Sequence, residues 1–288
     1  MFPGASHDRR GYELTCPDCG SVRSNKFCPQ CGEQPLHPND LTLRDLALKL
    51  GQSVSSVDGK AIKTFRLLLL KPGQLTVAHV RGQRRPFIGP LKVFLIANAL
   101  FFAAQSATRT NVLSSTLESH LTQQDWKATA HGMVAAHLRA KRLTLAEYRP
   151  AFDTAVVLYA KSLIILMVIA LAPILAITFW RRRQPIGSHV VFGLHLYAFV
   201  LLLFCFSLGI TEVDLLRGGA GLASPWLDTT LSLFNVGACF VYLYLAVRRA
   251  CGATGVGRIL ASLFLSACVG AIVIGYRFLM FVVTLAWT

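Results

Sequence analysis

Residues 189–211 read HVVFGLHLYAFVLLLFCFSLGIT, with no Asp, Glu, Lys or Arg among them. A helix this long, at about 1.5 Å per residue, crosses a hydrocarbon core of about 30 Å. Four other stretches share its character: Pro90 to Ala107, about Leu158 to Trp180, Trp226 to Val247 and Ile259 to Val283. The last three are also long enough to span. The first is short in its charge-free part, with Lys92 and Asn98 interrupting it. Nothing alternates in the manner of an outer-membrane barrel strand. The expected fold class is therefore all-α: a polytopic membrane helix bundle of about five spans, occupying residues 90–288.

Composition agrees. Of 288 residues, 53% are hydrophobic and 15% charged, and mean hydropathy is +0.51. A soluble domain carries about a quarter charged residues. Disorder is excluded, and an ordinary soluble enzyme is disfavoured. Lys and Arg outnumber Asp and Glu by 29 to 14, a formal +15. Such an excess suits nucleic acid or an anionic membrane face. Beside membrane spans the lipid explanation suffices, so no nucleic acid partner is expected. The N-terminus lacks the apolar region of a signal peptide.

Basic residues in short loops set orientation. Arg181, Arg182 and Arg183 follow the second span, and Arg248, Arg249 and Arg258 separate the fourth from the fifth. Both loops are expected in the cytoplasm, with the N-terminus, and the C-terminus is then external. The loop from Thr108 to Val157 would be external despite six basic residues. If the first span only dips into the membrane, this arrangement changes. The external loop reads as a small helical cap with Leu113, Leu117, Leu121, Met133, Val134 and Leu138 at helical spacing. Thr144 and Glu147 form a capping box opening a further short helix. His120, His131 and His137 lack a metal-ligand spacing and read as satisfied or solvated side chains.

Residues 1–38 hold a cysteine module: Cys16-Pro17-Asp18-Cys19-Gly20, then Cys28-Pro29-Gln30-Cys31-Gly32. Two close pairs of thiolates suit a tetrahedral Zn²⁺ held by Cys16, Cys19, Cys28 and Cys31. Gly20 and Gly32 follow each pair, where a positive φ is often needed. Arg23 and Lys26 offset the net negative charge of four thiolates and one zinc. The segment is too short for its own core, so metal would supply its folding energy. Two disulfides and a rubredoxin-type iron site are the alternatives. All four ligand positions are filled, so this zinc is structural and fits docking of a partner. The remaining thiols, Cys205, Cys239, Cys251 and Cys268, lack metal-ligand spacing and read mainly as small buried hydrophobes.

Residues 39–89 form a cytoplasmic basic amphipathic segment. A short helix is expected from Thr42 to Leu50. No acidic residue occurs from Gly59 to Leu117. A helical pattern begins at Asp58-Gly59 and ends at Leu70. Lys60, Lys63 and Arg66 share one face of it, and Ile62, Phe65 and Leu69 another. With Lys71, these basic residues are expected to contact an anionic lipid surface. The alternative is a helix packed on the spans with its lysines solvated.

Several of these features occur together in one family. A ribbon ends in Cys31-Gly32-Glu33-Gln34. Then follow Asp58-Gly59-Lys60, Lys63-Thr64, Leu68-Leu69, Pro72-Gly73 and an Arg81-Gly82-Gln83-Arg84 entry before Pro86. Together these resemble bacterial membrane proteins catalogued as domain of unknown function 3667. The resemblance covers about Cys16 to Phe102, and the later spans in outline. It implies a bacterial inner-membrane protein with a cytoplasmic zinc ribbon. It carries no reaction, ligand or catalytic residue.

Polar residues inside spans are functional suspects: Asn98, Lys161, His195, Asn235 and Arg277. Lys161 and Arg277 lie toward the outer ends and can snorkel. Asn98 and Asn235 suit helix–helix contacts. Nucleotide-binding, zinc-protease and serine-hydrolase motifs are absent from the sequence. The expectation is a non-enzymatic scaffold or regulator whose ribbon engages a cytosolic protein. The alternative is a transporter or lipid-handling protein, with Asn98, Asn235 and Arg277 converging on one cavity.

Overall fold

The computed structural model describes residues 14–16, 19–23, 28, 30 and 59–288. The expected helix from Thr42 to Leu50, Asp58 and the fourth cysteine, Cys31, lie outside them. Strands β1 (Leu14–Thr15) and β2 (Val22–Arg23) pair antiparallel, Leu14 opposite Arg23. The helices follow: α1 (Lys60–Leu70), α2 (Gln74–Val80), α3 (Pro90–Thr108), α4 (Leu117–Thr122), α5 (Lys127–Lys141), α6 (Leu145–Leu163), α7 (Ile165–Thr178), α8 (Ile186–Leu216), α9 (Pro225–Cys251) and α10 (Gly255–Trp287).

Helices α3, α8, α9 and α10 are each long and apolar enough to cross a membrane, and the bent pair α6–α7, taken together as one broken span, brings the number to five. Pro90 at the first position of α3, after an extended Gly89, starts that helix without wasting a donor. Its ridge of Val93, Ala97 and Phe101, each fully buried, lies along α8 in the most extensive helix pairing of the molecule. In its most apolar stretch α8 is 72% buried, against 33% for α9 and 22% for α10. It is the central post. Gly193 lets α7 approach it: a Cβ there would lie 3.2 Å from the Val168 side chain.

The second span departs from expectation. It is not one straight helix from Leu158 to Trp180 but two, bent by 44° at Ile164. No proline sits at the bend. Sharp bends also arise where a side chain takes over a helical carbonyl, and two such captures occur here. The Tyr276 hydroxyl of α10 donates to the Ala160 carbonyl at 2.7 Å. The Asn98 amide of α3 donates to the Lys161 carbonyl at 3.3 Å. Those are the acceptors that Ile164 and Ile165 would use in an unbroken helix. The capping box is present, Thr144 and Glu147 bonding reciprocally. The helix it opens is not short: α6 runs through position 157 into the span.

Arg258 also moves from its expected place. It belongs to the first turn of α10 rather than a loop, and it is buried. Its guanidinium stacks 3.4 Å from the Tyr244 ring centre and donates to the Tyr244 carbonyl at 2.6 Å.

Helices α1 and α2 dock at the end of the bundle where α7 and α9 finish. Gly73 between them has φ +81°, and its α carbon faces the α9 backbone so closely that a Cβ would stand 2.8 Å from the Ala246 carbonyl oxygen. The Arg249 guanidinium donates to the Pro72 carbonyl at 3.0 Å. Gly73→Ala should therefore destabilise the protein by about 2–4 kcal/mol, combining left-handed backbone strain with a steric clash. Gly59→Ala, where nothing lies within 4 Å of the new Cβ, is the control and should shift the thermal midpoint in detergent little.

Candidate functional site

The Cys16, Cys19 and Cys28 sulfurs lie within 4.8 Å of one another, and Cys19 and Cys28 are 3.6 Å apart. Tetrahedral Zn–S bonds of about 2.3 Å place sulfurs about 3.8 Å apart, so the cluster has the size of such a site. Gly20 takes the left-handed conformation expected of it, φ 75°. Its N–H donates to the Cys16 carbonyl at 2.9 Å, and the Cys16 N–H to the Ser21 carbonyl at 2.8 Å. Sequence reasoning missed Ser21. Its hydroxyl stands 2.9 Å from the Cys19 sulfur and 3.1 Å from that of Cys28, where it can donate to a thiolate. A hydroxyl directly after the glycine of a cysteine knuckle was the available signal.

The α1 helix does two things at once. Thr64 and Leu68 bury against the bundle. The Thr64 hydroxyl donates to the Lys60 carbonyl at 2.6 Å and accepts from the Ile88 N–H at 3.1 Å, tying α1 to the turn before α3. Lys60, Lys63, Arg66 and Lys71 are exposed, but so are Ile62 (77%) and Leu70 (67%). Packing on the spans thus leaves both the basic and much of the apolar surface outward. Lys63 additionally sits 5.4 Å from the Phe87 ring centre.

Helix α2 is pinned from below by a polar contact within the bundle. The Thr76 hydroxyl lies 2.9 Å from His195 Nδ1, both side chains buried. His195 is therefore an anchor for the docked segment. Nearby, the Arg182 guanidinium donates to the Gly252 carbonyl at 2.9 Å and Gln184 to the Ala250 carbonyl at 3.0 Å. These contacts gather Lys60 to Lys92, Arg181 to Arg183 and Arg248 to Arg258 at one end. From residue 59 onward the acidic residues are Glu118, Asp125, Glu147, Asp153, Glu212, Asp214 and Asp228. All of them belong to the opposite end.

The other polar span residues go to separate contacts. Asn98 meets α6 as described. Asn235 of α9 accepts from the Ser207 hydroxyl of α8 at 2.9 Å. Arg277 of α10 donates through Nε and Nη2 to the Ser115 hydroxyl at 3.2 and 3.0 Å. Lys161 is exposed, with its ammonium 5.9 Å from the Phe102 ring centre. Among the described residues, Asn98, Asn235 and Arg277 thus bond to three different partners. The turn from Gly218 to Gly221 is built around a carboxylate, Asp214 accepting from the Gly221 N–H at 2.9 Å, and so offers nothing to an anion.

At the acidic end, α4, α5 and the start of α6 make the expected cap, with Leu113, Leu117, Leu121 and Val134 buried. His120 lies at its centre, packed on Phe281 at 4.8 Å between ring centres, and its Nδ1 accepts from the Trp126 indole at 3.2 Å. His131 meets the Leu121 carbonyl at 3.0 Å, and His137 packs on Tyr148. These are packing histidines. Burial, with the Arg277 charge beside it, pushes the His120 imidazole down from 6.5 to about 4.

Residues 58–102 match the model of a family described as a protein of unknown function, DUF3667. The matched stretch is the docked α1–α2 segment and most of α3. No curated protein matches the chain, and neither does any solved structure.

The His120 shift gives a signed pH dependence. Below about pH 6.5 an unfolded chain takes up a proton that the folded cap refuses. Stability is thus complete above that pH, declines as pH falls, and stops declining near the folded value of about 4. The full loss is about 3 kcal/mol. Thermal midpoints measured from pH 7 to pH 4 should show the decline in the wild type, and a shallower one in His120→Gln, which keeps an acceptor for Trp126.

Proposed function

We propose that this multi-pass membrane protein is a non-enzymatic scaffold or regulator. Its N-terminal zinc ribbon engages a cytosolic protein, and its basic end rests on an anionic lipid surface. The observation that carries this reading is the joint occurrence of a cluster of three thiols of zinc size and a basic end of the bundle that holds no carboxylate among the described residues. Cys16, Cys19, Cys28 and Cys31 would hold one Zn²⁺. Bound there, the metal supplies folding energy and leaves no open position for chemistry. The spans anchor the ribbon. Lys60, Lys63, Arg66 and Lys71 face anionic headgroups, while Ile62, Leu69 and Leu70 sit at the acyl boundary beside them.

This reading places the protein in the bacterial inner membrane, the N-terminus and both Arg-rich loops cytoplasmic and the C-terminus external. The helical cap with its acidic residues then faces outward.

Metal analysis of the purified chain should find one zinc and no iron. Cys16→Ser should lower occupancy and release a partner captured through the tagged protein in mild detergent, with the spans still inserted. A reporter active only outside the cytoplasm should work at Thr288 and near Gln123 and stay silent at Gln184. Activity at Gln184 with silence at Gln123 rejects the orientation. Iron, or no metal after thiol protection, rejects the zinc ribbon.

A further inference from the structure

Where α7 ends and α8 begins, a cavity of about 320 Å³ is lined by Ala176, Phe179, Trp180, Arg183, Gln184 and His189. It belongs to none of the contacts described so far, apart from Gln184, whose amide nitrogen is already committed to the Ala250 carbonyl. His189 is 2% exposed, yet its imidazole has no hydrogen-bond partner among the described residues. The adjacent Ser188 hydroxyl is likewise buried without a partner. An unmet buried polar group costs about 1–3 kcal/mol, so the Ser188 hydroxyl, next to an imidazole that lines the cavity, marks a place where polar atoms are wanted from outside.

The charge around the cavity has one sign. Helix α8 is 31 residues long, and its first turn contains no acidic residue and no side-chain cap. Its free N–H groups and dipole therefore favour an anion. The Arg183 guanidinium is exposed, and no carboxylate approaches it among the described residues. The acidic residues of the bundle lie at the other end. Among the described residues a cation would find no ligand of opposite charge here. A phosphate would find Arg183, His189 and the start of α8, with several oxygens to share among them.

The remaining wall is apolar. Phe179 and Ala176 line it, and Trp180, 78% exposed, stands at the rim in the manner of an interfacial aromatic. We propose that this cavity binds a phosphate group, whether carried by an anionic phospholipid headgroup or by a soluble phosphate. The proposal rests on the reading that this end meets the anionic leaflet, but it assigns the binding to a pocket rather than to the surface of α1.

The test uses the full-length protein in a neutral detergent and follows its thermal midpoint. Three probes are added: dioctanoyl phosphatidylglycerol, dioctanoylglycerol and inorganic phosphate. The phospholipid should raise the midpoint saturably, as a ligand of the folded state must, and dioctanoylglycerol should not. Arg183→Gln, at an exposed position that leaves the fold intact, and His189→Phe should each require at least ten-fold more phospholipid. A Lys60→Gln, Lys63→Gln double variant should follow the wild-type curve.

If inorganic phosphate reproduces the shift, the site takes the phosphate group alone. If it does not, the site takes the lipid headgroup, and either result supports the pocket. An equal response to dioctanoylglycerol overturns the proposal, because the cavity is then merely apolar. So does a wild-type response in Arg183→Gln. A response lost in the Lys60, Lys63 variant instead of Arg183→Gln also overturns it and leaves lipid contact by α1 standing. The reporter experiment above tests the orientation separately.

Discussion

Between Val191 and Ala198 every residue of α8 is buried, so this part of the helix has no side to give to lipid. The rest of the bundle follows from covering it. Helices α3 and α7 flank it, α9 closes a further side, and α1 and α2 reach its lower portion. A span buried all round must satisfy its polar side chains inside the protein. That explains why His195 is paired with Thr76 from a segment that does not itself cross. The docked segment is part of the wall around the central post, and Gly73 is the point at which the wall comes closest to α9.

The second constraint is that main-chain polar groups away from water need partners within the protein. Where the helices are regular this is automatic. Where they are not, a side chain intervenes at several places. Tyr276 and Asn98 take the carbonyls at the bend between α6 and α7. Thr64 serves the Ile88 N–H before α3. After α3, the Gln105 side chain accepts from the Val112 and Leu113 N–H groups at 3.0 and 3.3 Å and donates to the Ser114 hydroxyl at 2.7 Å. Asn98 and Tyr276 are thus repairs to local backbone geometry, whereas Asn235, Arg277 and His195 bond to other side chains.

Much of this was legible in the sequence. Uninterrupted apolar windows locate spans because nothing else in a chain has that composition. The capping box located its helix start, and the spacing of Cys16, Cys19 and Cys28 anticipated their clustering. The bend at Ile164 was not legible. Its causes, Tyr276 and Asn98, are 116 and 63 positions from the carbonyls they capture, beyond any local pattern. Arg258 was misplaced because the glycines at 252, 255 and 257 resemble a loop, whereas α10 begins among them. Helix α2 was passed over because Pro72-Gly73 reads as an ending. The turn there is followed at once by a new helix whose register is fixed by distant contacts, with α9 at Gly73 and with His195 of α8 at Thr76. The unmet His189 escaped notice because a histidine in the first turn of an apolar helix looks the same in sequence whether or not it has a partner.

The separation of charge along the bundle has a consequence for what counts as the complete molecule. At the basic end the helices were brought together without a single carboxylate among residues 59–117, so the neutralising counter-ions are not encoded in that part of the chain. They have to be recruited from whatever surrounds it, over a distance of about one Debye length, roughly 10 Å in dilute salt. A membrane rich in anionic headgroups supplies them as a fixed sheet, while a neutral detergent leaves them to mobile salt. The surroundings are then a structural component of this end in the same sense as a metal is of a cysteine cluster. At the opposite end, where Glu118 pairs with Arg149, the chain carries its own counter-charge and asks for less.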